Sequence, residues 1–323
     1  MTSAAVLLAA CSGSVASPAV TPHESIPPPS FSASPSPVAL QQQEPSLPVP
    51  VEETAAAVSE GKLYVMGGFN AAGASLDSVY VFDGTAWQSG PRLPLPLDHP
   101  SAASLDGHAY IAGGHSNGRD SARLFRLDGD HWTELAAMHN ARGGHALVAD
   151  QGKLYAIGGN NYAINVPPVE VYDPDANTWT VVASLPVPRN HVLGFVIGTR
   201  ACVAGGRAPT TSRVDCLEVI SGAWSRLPDL PQATSGGGAA TFLGGGVVVA
   251  GGQNASETAI VNQLTHYTVS TWSTVNPMMV PRHGFELAVF NGRAWACGGG
   301  TAPGLHPVAA CTSIADPNVR LTK

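Results

Sequence analysis

A glycine pair returns six times along this 323-residue chain at nearly constant spacing. Successive pairs lie 45 to 47 residues apart, and a tryptophan follows the first glycine of five pairs by 19 to 21 residues. A period of this size is typical of one small supersecondary unit stacked on copies of itself. The pairs are Gly67-Gly68, Gly113-Gly114, Gly158-Gly159, Gly205-Gly206, Gly251-Gly252 and Gly298-Gly299, and the tryptophans are Trp87, Trp132, Trp179, Trp224 and Trp272.

The third repeat, residues 142–187, indicates what the unit is. Short apolar or alternating runs at residues 147–149, 153–157, 169–172 and 178–182 predict four strands, and turn residues separate them. Four short strands joined by turns make one antiparallel sheet. One such sheet cannot cover both of its faces, but sheets stacked radially bury their faces against their neighbours. The sequence therefore predicts an all-β fold of six stacked sheets.

The repeat resembles the kelch repeat. The matching segments are Leu154-Tyr-Ala-Ile-Gly-Gly159, Val171-Tyr-Asp-Pro174 and Asn177-Thr-Trp179, and Pro-Arg occurs at 188–189 and 281–282, where kelch repeats start their innermost strand. The resemblance covers about residues 46–323 and implies a six-bladed kelch-type β-propeller, which we assign to residues 41–323. Kelch propellers serve many functions, so the fold alone implies none of them.

The two termini offer alternative ways to close the ring. The sixth repeat lacks its tryptophan, and only six residues follow Pro317. Residues 46–50 are identical to residues 184–188, which lead from a fourth strand into the next blade. This identity predicts that residues near Gln41 to Leu47 supply the outer strand of blade six. The alternative is that residues 319–322 complete that blade.

The N-terminal segment resembles that of bacterial lipoproteins. Residues 4–10 are apolar, and Leu8-Ala-Ala-Cys11 is similar to the lipobox that precedes a lipidated cysteine. The resemblance implies a disordered N-terminal tether: a signal peptide at residues 1–10, then lipidated Cys11 and a linker at 11–40. Residues 12–50 hold 10 Pro and 9 Ser and no Lys or Arg, a composition typical of an extended linker. The alternative is a chance match in an alanine-rich start. We expect an extracytoplasmic protein that contacts the membrane through a lipid anchor only.

Four further cysteines form two couples, each 14 residues apart: Cys202 with Cys216, and Cys297 with Cys311. In each couple the first cysteine lies in the predicted second strand and the other in the third strand of the same blade. Because these strands are antiparallel neighbours, the side chains can come within disulfide reach. The spacing favours two disulfides, and four reduced buried cysteines are the alternative.

Charge and motifs exclude several classes of function. Only 12% of residues are charged, and the net charge is −7, so the basic stripe typical of a nucleic-acid binder is missing. Zinc-type Cys spacing and a complete calcium loop are also missing, and the sequence predicts no metal site and no cofactor. We expect a monomer.

Kelch domains that bind peptides use two places in the repeat, so the resemblance implies that the candidate ligand contacts lie there. The two places are the lead-in to the innermost strand and the loop after the glycine pair. The predicted rim residues are His115, Arg142, Arg189, Asn190, Arg207, Gln253, Asn254, Arg282 and His283. Arg207 is the first choice, because only this repeat has a cation directly after the pair. The alternative is that the arginines and histidines join neighbouring blades.

Glu286 is the one carboxylate in an otherwise apolar innermost strand, residues 284–290. It is expected to face the water-filled channel or to pair with Arg282, since burying a lone carboxylate costs several kcal/mol. In a channel it could act as a base.

The sequence favours a non-enzymatic binding module for a glycan, a peptide or an envelope protein. Two enzyme families use this repeat and provide the alternative, a periplasmic carbohydrate-modifying enzyme. The galactose-oxidase-like proteins need copper and a Tyr–Cys crosslink, and the four propeller cysteines are already paired by spacing. The sialic-acid mutarotases carry a Glu after a strand-ending Gly and an Arg six residues later, where this chain has Gly300 and His306.

Overall fold

The computed structural model describes residues 1–2, 40–162, 164–268 and 270–318. Within these ranges the chain forms β-strands and no helix, so no helix is long and apolar enough to cross a membrane. The predicted lipidation site Cys11 and the rest of segment 3–39 lie outside the described residues, as do residues 319–323.

The strands are short, mostly four to six residues, as expected for segments between closely spaced turns. In chain order they are β1 (Gln41–Glu44), β2 (Ala55–Ser59), β3 (Lys62–Met66), β4 (Val79–Phe82), β5 (Trp87–Ser89), β6 (Ser101–Leu105), β7 (His108–Ala112), β8 (His115–Ser116), β9 (Arg119–Asp120), β10 (Leu124–Asp128), β11 (His131–Leu135), β12 (Gly143–Asp150), β13 (Lys153–Asn160), β14 (Pro168–Asp173), β15 (Thr178–Ser184), β16 (Leu193–Ile197), β17 (Arg200–Ala204), β18 (Val214–Glu218), β19 (Trp224–Leu227), β20 (Gly238–Thr241), β21 (Val247–Ala250), β22 (Leu264–Thr268), β23 (Thr271–Asn276), β24 (Leu287–Phe290), β25 (Arg293–Cys297) and β26 (Cys311–Ala315).

The strands form six four-stranded antiparallel sheets, which confirms the predicted six-bladed propeller. From the innermost strand outwards, blade one is β2-β3-β4-β5, blade two is β6-β7-β10-β11 and blade three is β12-β13-β14-β15. Blade four is β16-β17-β18-β19, blade five is β20-β21-β22-β23 and blade six is β24-β25-β26-β1. The small β8-β9 hairpin extends the loop after the second glycine pair.

The outer strand of blade six comes from the start of the propeller sequence, as the repeated residues 46–50 predicted. β1 pairs with β26 from Gln41 opposite Ile314 to Glu44 opposite Cys311. The Gln41 side chain also holds the turn before blade six, accepting from Met279 N and donating to Pro277 O, both at 2.9 Å. The first blade is thereby tied to the last one.

The hydrophobic core lies between the blades. Six clusters of buried side chains fill the six spaces between neighbouring sheets. Between blades six and one, for example, the Phe82 ring lies 5.1 Å from Trp295 and 6.0 Å from Phe290. Removing a buried aromatic side chain typically costs about 3–5 kcal/mol. Each blade therefore depends on its neighbours for most of its stability.

Four of the five repeated tryptophans join their blade to the one before it. The indole N–H donates to a carbonyl in the segment that leaves the preceding blade, at 2.7 to 2.9 Å. The pairs are Trp87 with Pro45, Trp132 with Pro91, Trp179 with Ala136 and Trp272 with Pro228. Within the described ranges the Trp224 indole lacks such a partner. The bond from Trp87 to Pro45 crosses the closure of the ring.

The glycine pairs mark the points where neighbouring backbones come closest. A Cβ on Gly68, for example, would lie 2.3 Å from the Glu52 carbonyl oxygen, and its φ is +92°. Only glycine accepts both the contact and the backbone conformation.

Both predicted disulfides are present, Cys202–Cys216 in blade four and Cys297–Cys311 in blade six. In each case the two cysteines occupy directly opposite positions on the second and third strands. Each bridge closes a short loop, which stabilises by about 3 kcal/mol in the chain-entropy model.

We expect deletion of residues 41–47 to lower the free energy of unfolding by at least about 3 kcal/mol and Tm by roughly 10 °C, because it removes an edge strand and the buried Leu47. Thermal unfolding followed by circular dichroism measures the change. Gln42→Ala is the control, since Gln42 is an exposed residue of the same strand and its loss should change Tm by less than about 2 °C. An unchanged Tm for the deletion would contradict closure by β1.

Candidate functional site

Six residues, one from each blade, form a closed hydrogen-bonded ring around the propeller axis, which we call the axial ring. Each backbone N–H donates to the carbonyl of the ring residue in the preceding blade at 2.5 to 3.1 Å. The last bond, from Glu53 N to Gly284 O at 2.6 Å, closes the circle. The ring residues are Glu53, His99, Gly144, His191, Gly236 and Gly284.

All six ring residues have a positive φ, between 51° and 67°. Glycine adopts this conformation without cost, whereas other residues there are uncommon and often found at functional sites. Three positions nevertheless hold Glu53, His99 and His191. Two of the glycines make room for them: a Cβ on Gly284 would lie 2.9 Å from Glu53 Cδ, and one on Gly144 would lie 2.8 Å from His191 Nδ1.

The three side chains of the axial ring converge. One ligating atom each from Glu53, His99 and His191 lies within 4.8 Å of the other two. His99 Nε2 is 3.5 Å from Glu53 Oε2, and the rings of His99 and His191 lie 5.0 Å apart. The sequence analysis predicted no metal site, yet two imidazoles and one carboxylate are a recognised ligand set for a divalent transition metal.

The residue preceding each ring position holds the cluster in place. His99 Nδ1 lies 2.7 Å from Asp98 Oδ1, and His191 Nδ1 lies 2.6 Å from Asn190 Oδ1. In each ring Nδ1 faces this acceptor oxygen, and in His191 Nε2 is left to accept from Arg207 Nη2 at 2.8 Å. His283 Nδ1 lies 3.6 Å from Glu53 Oε1 on the other side of the cluster.

The pKa values of the three cluster residues are shifted in different directions. Burial raises the pKa of Glu53, but His99, His191 and His283 outweigh it, and the pKa of this carboxyl lies well below its usual range. Burial lowers the pKa of His99, yet Glu53 and Asp98 hold it above its usual value. Burial and the Arg207 charge hold the pKa of His191 well below its usual range.

Arg207, the first-choice ligand contact, reaches the axial ring. Its backbone bridges to Asn190 in the same blade. Its Nη2 lies 2.8 Å from His191 Nε2, and its Nη1 donates to Glu257 Oε2 at 2.8 Å. The side chain remains 26% exposed. This arginine is therefore both part of the cluster and open to solvent.

His115 connects the cluster to the surface. Its ring lies 5.5 Å from His99 and 3.9 Å from Tyr162, and its Nδ1 is 3.0 Å from Asp120 Oδ1. His115 itself is buried, whereas Tyr162 is 55% exposed. Solvent therefore meets the tyrosine and not the histidine.

Two cavities meet at the axis. A small one of about 50 Å³ is lined by Glu53, His99, His145, His191 and Glu286 among others. The central channel below it, about 510 Å³, is lined mostly by small residues of the innermost strands and also by Glu286. Glu286, which the sequence analysis placed either at the channel or beside Arg282, lines both cavities.

Glu286 joins blade six to blades one and two across the axis. Its carboxylate accepts from Ser101 Oγ at 2.5 Å, Ala56 N at 2.9 Å and Ala102 N at 3.1 Å. Its predicted pairing with Arg282 does not occur. Burial raises the pKa of Glu286 to about 7, although these hydrogen bonds partly oppose the shift.

Three of the predicted rim residues lie inside the blades. Arg142, Arg189 and Arg282 are fully buried, and each donates to the carbonyl of the first glycine of its pair, Gly158, Gly205 or Gly298. Their side chains are therefore not on the solvent-facing rim that the sequence analysis expected. A guanidinium is the only side chain long enough and rich enough in donors to satisfy several loop carbonyls at once.

The buried arginines differ in their charge partners. Arg142 pairs with buried Glu170 at 2.7 Å, and Arg189 pairs with buried Asp215 at 2.9 Å. Arg282 bonds carbonyls alone within the described ranges, and burial lowers its pKa to about 10. All of these contacts lie within the arginine's own blade, so each arginine holds one repeat together and does not join neighbouring blades, as the alternative had it.

Gln253 and Asn254 are rim candidates whose contacts lie within their own blade. Gln253 is buried and bridges to Ser235 through its backbone. The Asn254 carboxamide closes its own loop by accepting from the backbone N–H groups of Thr258 and Ala259. Neither belongs to the cluster around His99.

Sequence reasoning missed Glu53. The signal was present, because Glu53, His99, Gly144, His191 and Gly284 each stand 14 residues before the first glycine of their pair. Aligning all six repeats on the glycine pair would have placed Glu53 beside the two histidines. The sequence does not show that these positions converge on the axis.

These features define a six-bladed propeller with a polar cluster at one mouth of its channel. The KLHDC2/KLHL20/DRC7 Kelch-repeats domain model matches residues 36–206, more than half of the chain. The chain therefore belongs to the kelch-repeat family, as the repeat predicted.

The curated relatives match only part of this chain. Kelch-like protein 35 of Mus musculus is 33% identical over 114 residues, and human Kelch repeat and BTB domain-containing protein 13 is 36% identical over 110 residues. Each alignment covers 34% of this chain, and 20% and 24% of the respective relatives. The chain thus matches only about a fifth to a quarter of their length.

A solved structure described as "Structure of YjhT" has a TM-score of 0.73 at 18% identity, covering 85% of this chain and 97% of that one. This likeness concerns the fold.

The raised pKa of Glu286 predicts a pH-dependent stability difference between the protein and its Glu286→Gln variant. An unfolded glutamate titrates near 4.5 and the folded one near 7. The folded state therefore binds more protons between these values, and wild-type stability falls as pH rises from about 5 to 8. The full shift corresponds to about 3 kcal/mol, and solvent screening of this partly exposed residue reduces it to about 2 kcal/mol.

Urea unfolding of both proteins at pH 5, 6, 7 and 8 measures this difference, and NMR of a labelled Glu286 carboxyl carbon gives its midpoint directly. We expect the stability of the variant relative to wild type to increase with pH. A constant difference across this range, or a midpoint near 4.5, would contradict the raised pKa.

Proposed function

We propose that this chain is a non-enzymatic binding module that recognises an acidic peptide segment of an envelope protein at the axial-ring end of its blades. The observation that carries the proposal is the half-buried Arg207, which is held at the cluster yet open to solvent. Arginine binds carboxylates through paired N–H groups, which gives both strength and orientation.

The loop after the third glycine pair, which carries two exposed large side chains, is held next to the residue that follows this arginine. Tyr162 is 55% and Ile164 is 66% exposed, and both are in the loop after the third glycine pair. Asn165 pins that loop next to Arg207, donating to Ala208 O at 2.7 Å and accepting from Asn190 Nδ2 at 2.6 Å. We call Tyr162, Ile164 and Arg207 the recognition patch. Tyrosine and arginine are enriched among residues that dominate binding energies.

Glu257 indicates how a ligand would bind. Its carboxylate pairs with Arg207 at 2.8 Å, but its side chain is 45% exposed. Exposed ion pairs contribute only about 0–1 kcal/mol, so an incoming peptide carboxylate can replace Glu257 at little cost. The intramolecular pair thus resembles the contact that we propose for the partner.

We expect Arg207→Ala and Tyr162→Ala each to weaken binding of an acidic peptide at least tenfold, because each removes a main contact of the recognition patch. Peptide arrays with the purified propeller select the ligand, and isothermal titration calorimetry measures its Kd. Ile220→Ala is the matched control, since Ile220 is 82% exposed in a turn between two outer strands and should leave Kd unchanged. Arg207→Lys should recover only part of the affinity.

Selective binding to a glycan array would instead assign the patch to a sugar ligand and overturn the peptide proposal. Peptide binding that survives both Arg207→Ala and Tyr162→Ala would also overturn it.

A carbohydrate-modifying enzyme is the second candidate, and Glu286 favours it. A carboxyl with a pKa near 7 at the edge of the central channel is suited to acid–base chemistry. NMR of anomer exchange tests this function: acceleration by the protein that is lost in Glu286→Gln would support the enzyme. Both Glu286 oxygens already accept hydrogen bonds from neighbouring blades, which is why we place this function second.

We further propose that the propeller acts outside the cytoplasm, as a monomer tethered to a bacterial membrane through lipidated Cys11. The lipobox-like Leu8-Ala-Ala-Cys11 and the Pro/Ser-rich residues after it support the tether. The two disulfides support the compartment, since such bonds persist mainly in oxidising environments.

Cells expressing the full chain and fed an alkyne-labelled palmitate should incorporate the label into the wild-type protein and not into Cys11→Ser. The label should be lost in the variant because the acyl chains attach to this cysteine. Detergent extraction should be required for the wild type only. Equal labelling of both proteins, or none in either, would contradict lipidation at Cys11.

A further inference from the structure

We propose that Glu53, His99 and His191 of the axial ring bind one divalent transition-metal cation of the zinc class. The three residues come from blades one, two and four, and one ligating atom of each lies within 4.8 Å of the others. Two imidazoles with one carboxylate suit zinc, cobalt or nickel, whereas calcium and magnesium prefer oxygen ligands alone. None of these three ligands belongs to the recognition patch, although Arg207 of that patch contacts His191.

The space at the cluster fits a single ion. The cavity lined by these three residues is about 50 Å³, and one water occupies about 30 Å³ in the liquid, so an ion with one or two waters fills it. Zinc with bonds of about 2.0–2.1 Å sets tetrahedral ligand atoms roughly 3.4 Å apart. Moving each ligand inwards by about 1 Å therefore closes the site.

Asp98 and Asn190 orient the two histidine ligands of the proposed site. Metal-binding histidines usually donate their other N–H to a carboxylate or an amide oxygen, which fixes the ring and its free lone pair. Asp98 Oδ1 at 2.7 Å and Asn190 Oδ1 at 2.6 Å do this for His99 and His191. These partners precede their ligands directly in sequence, so the same backbone turn positions both.

His145 provides an independent sign that the cavity holds something. Its side chain is 4% exposed and lines the same cavity, and neither ring nitrogen meets a hydrogen-bond partner in the part of the chain that the structure describes. Buried polar atoms in native proteins nearly always have a partner, which can be an ordered water or an ion. A water bound to the metal is the partner that this cavity can supply.

Arg207 competes with the metal for His191. Its Nη2 lies 2.8 Å from His191 Nε2, the lone pair that the metal would use. Arg207 is partly exposed and already contacts Glu257, which can hold it away from the ring. Replacing Arg207 with alanine therefore frees His191 Nε2 to bind the metal and removes a positive charge that repels the ion. The metal proposal predicts tighter binding for Arg207→Ala, whereas the peptide proposal predicts weaker binding for the same variant.

Three protein ligands leave one coordination position open, as in zinc sites that bind an exchangeable ligand. Glu286 also lines the cavity that these ligands share. The site therefore suits a small oxygen-donor ligand such as a water or a carboxylate. The ion would also join three blades at the axis.

The test uses the full, tag-free chain after treatment with a chelator. Zn²⁺ titration followed by calorimetry, and Co²⁺ titration followed by visible absorption, should both show one site per chain with a Kd in the micromolar range or below. Glu53→Gln, His99→Gln and His191→Gln should each weaken binding at least tenfold, and Arg207→Ala should tighten it severalfold. His131→Gln is the matched control, because His131 is exposed on an outer strand.

Wild-type protein that binds neither ion at 100-fold higher concentration, about 100 µM, would overturn the proposal whether or not the variants fold. Binding that persists in the His99→Gln/His191→Gln double variant would also overturn it. For any variant that is unstable, circular dichroism without metal gives its folded fraction. If the ligand variants do not fold, the rise in Tm that Zn²⁺ causes is compared between Arg207→Ala and wild type, and we expect the larger rise in Arg207→Ala. A smaller rise in Arg207→Ala would contradict the site.

Discussion

Six backbone hydrogen bonds around the axis connect all the blades in one closed circle, and the rest of the molecule is arranged around them. The bond from Glu53 N to Gly284 O exists only if blade six stands beside blade one. That neighbour relation in turn requires β1 to complete blade six and Trp87 to reach Pro45. Ring closure, edge pairing and the inter-blade core are therefore one constraint, which explains why no blade is a stable unit alone.

The same constraint produces the polar cluster. A chain that must turn with positive φ at six equivalent positions would be served best by glycine at all of them. Glycine stands at three, and those three surround the space that Glu53, His99 and His191 occupy. The same backbone turn recurs on all six blades. It carries a side chain at three of them and glycine at the other three. The polar cluster is therefore built on the same backbone turn as the glycine positions.

The sequence predicted the architecture well because the information is local and repeated. The glycine pairs set the period, the tryptophans mark the fourth strand, and the duplicated residues 46–50 indicate which terminus closes the ring. The site was harder to predict. Arg142, Arg189 and Arg282 resemble rim residues in sequence, and only the packing of the loops shows that their guanidinium groups point into the blade. Convergence of Glu53 with His99 depends on which turns meet at the axis, which spacing alone does not reveal.

The closed ring can be measured directly by amide hydrogen exchange with residue resolution. The account predicts that the backbone N–H groups of the six ring residues exchange slowly and at a common rate set by global unfolding, since opening one bond strains the whole circle. The ring residues are Glu53, His99, Gly144, His191, Gly236 and Gly284. Fast exchange at these amides, or protection in some blades and not in others, would contradict a closed axial ring.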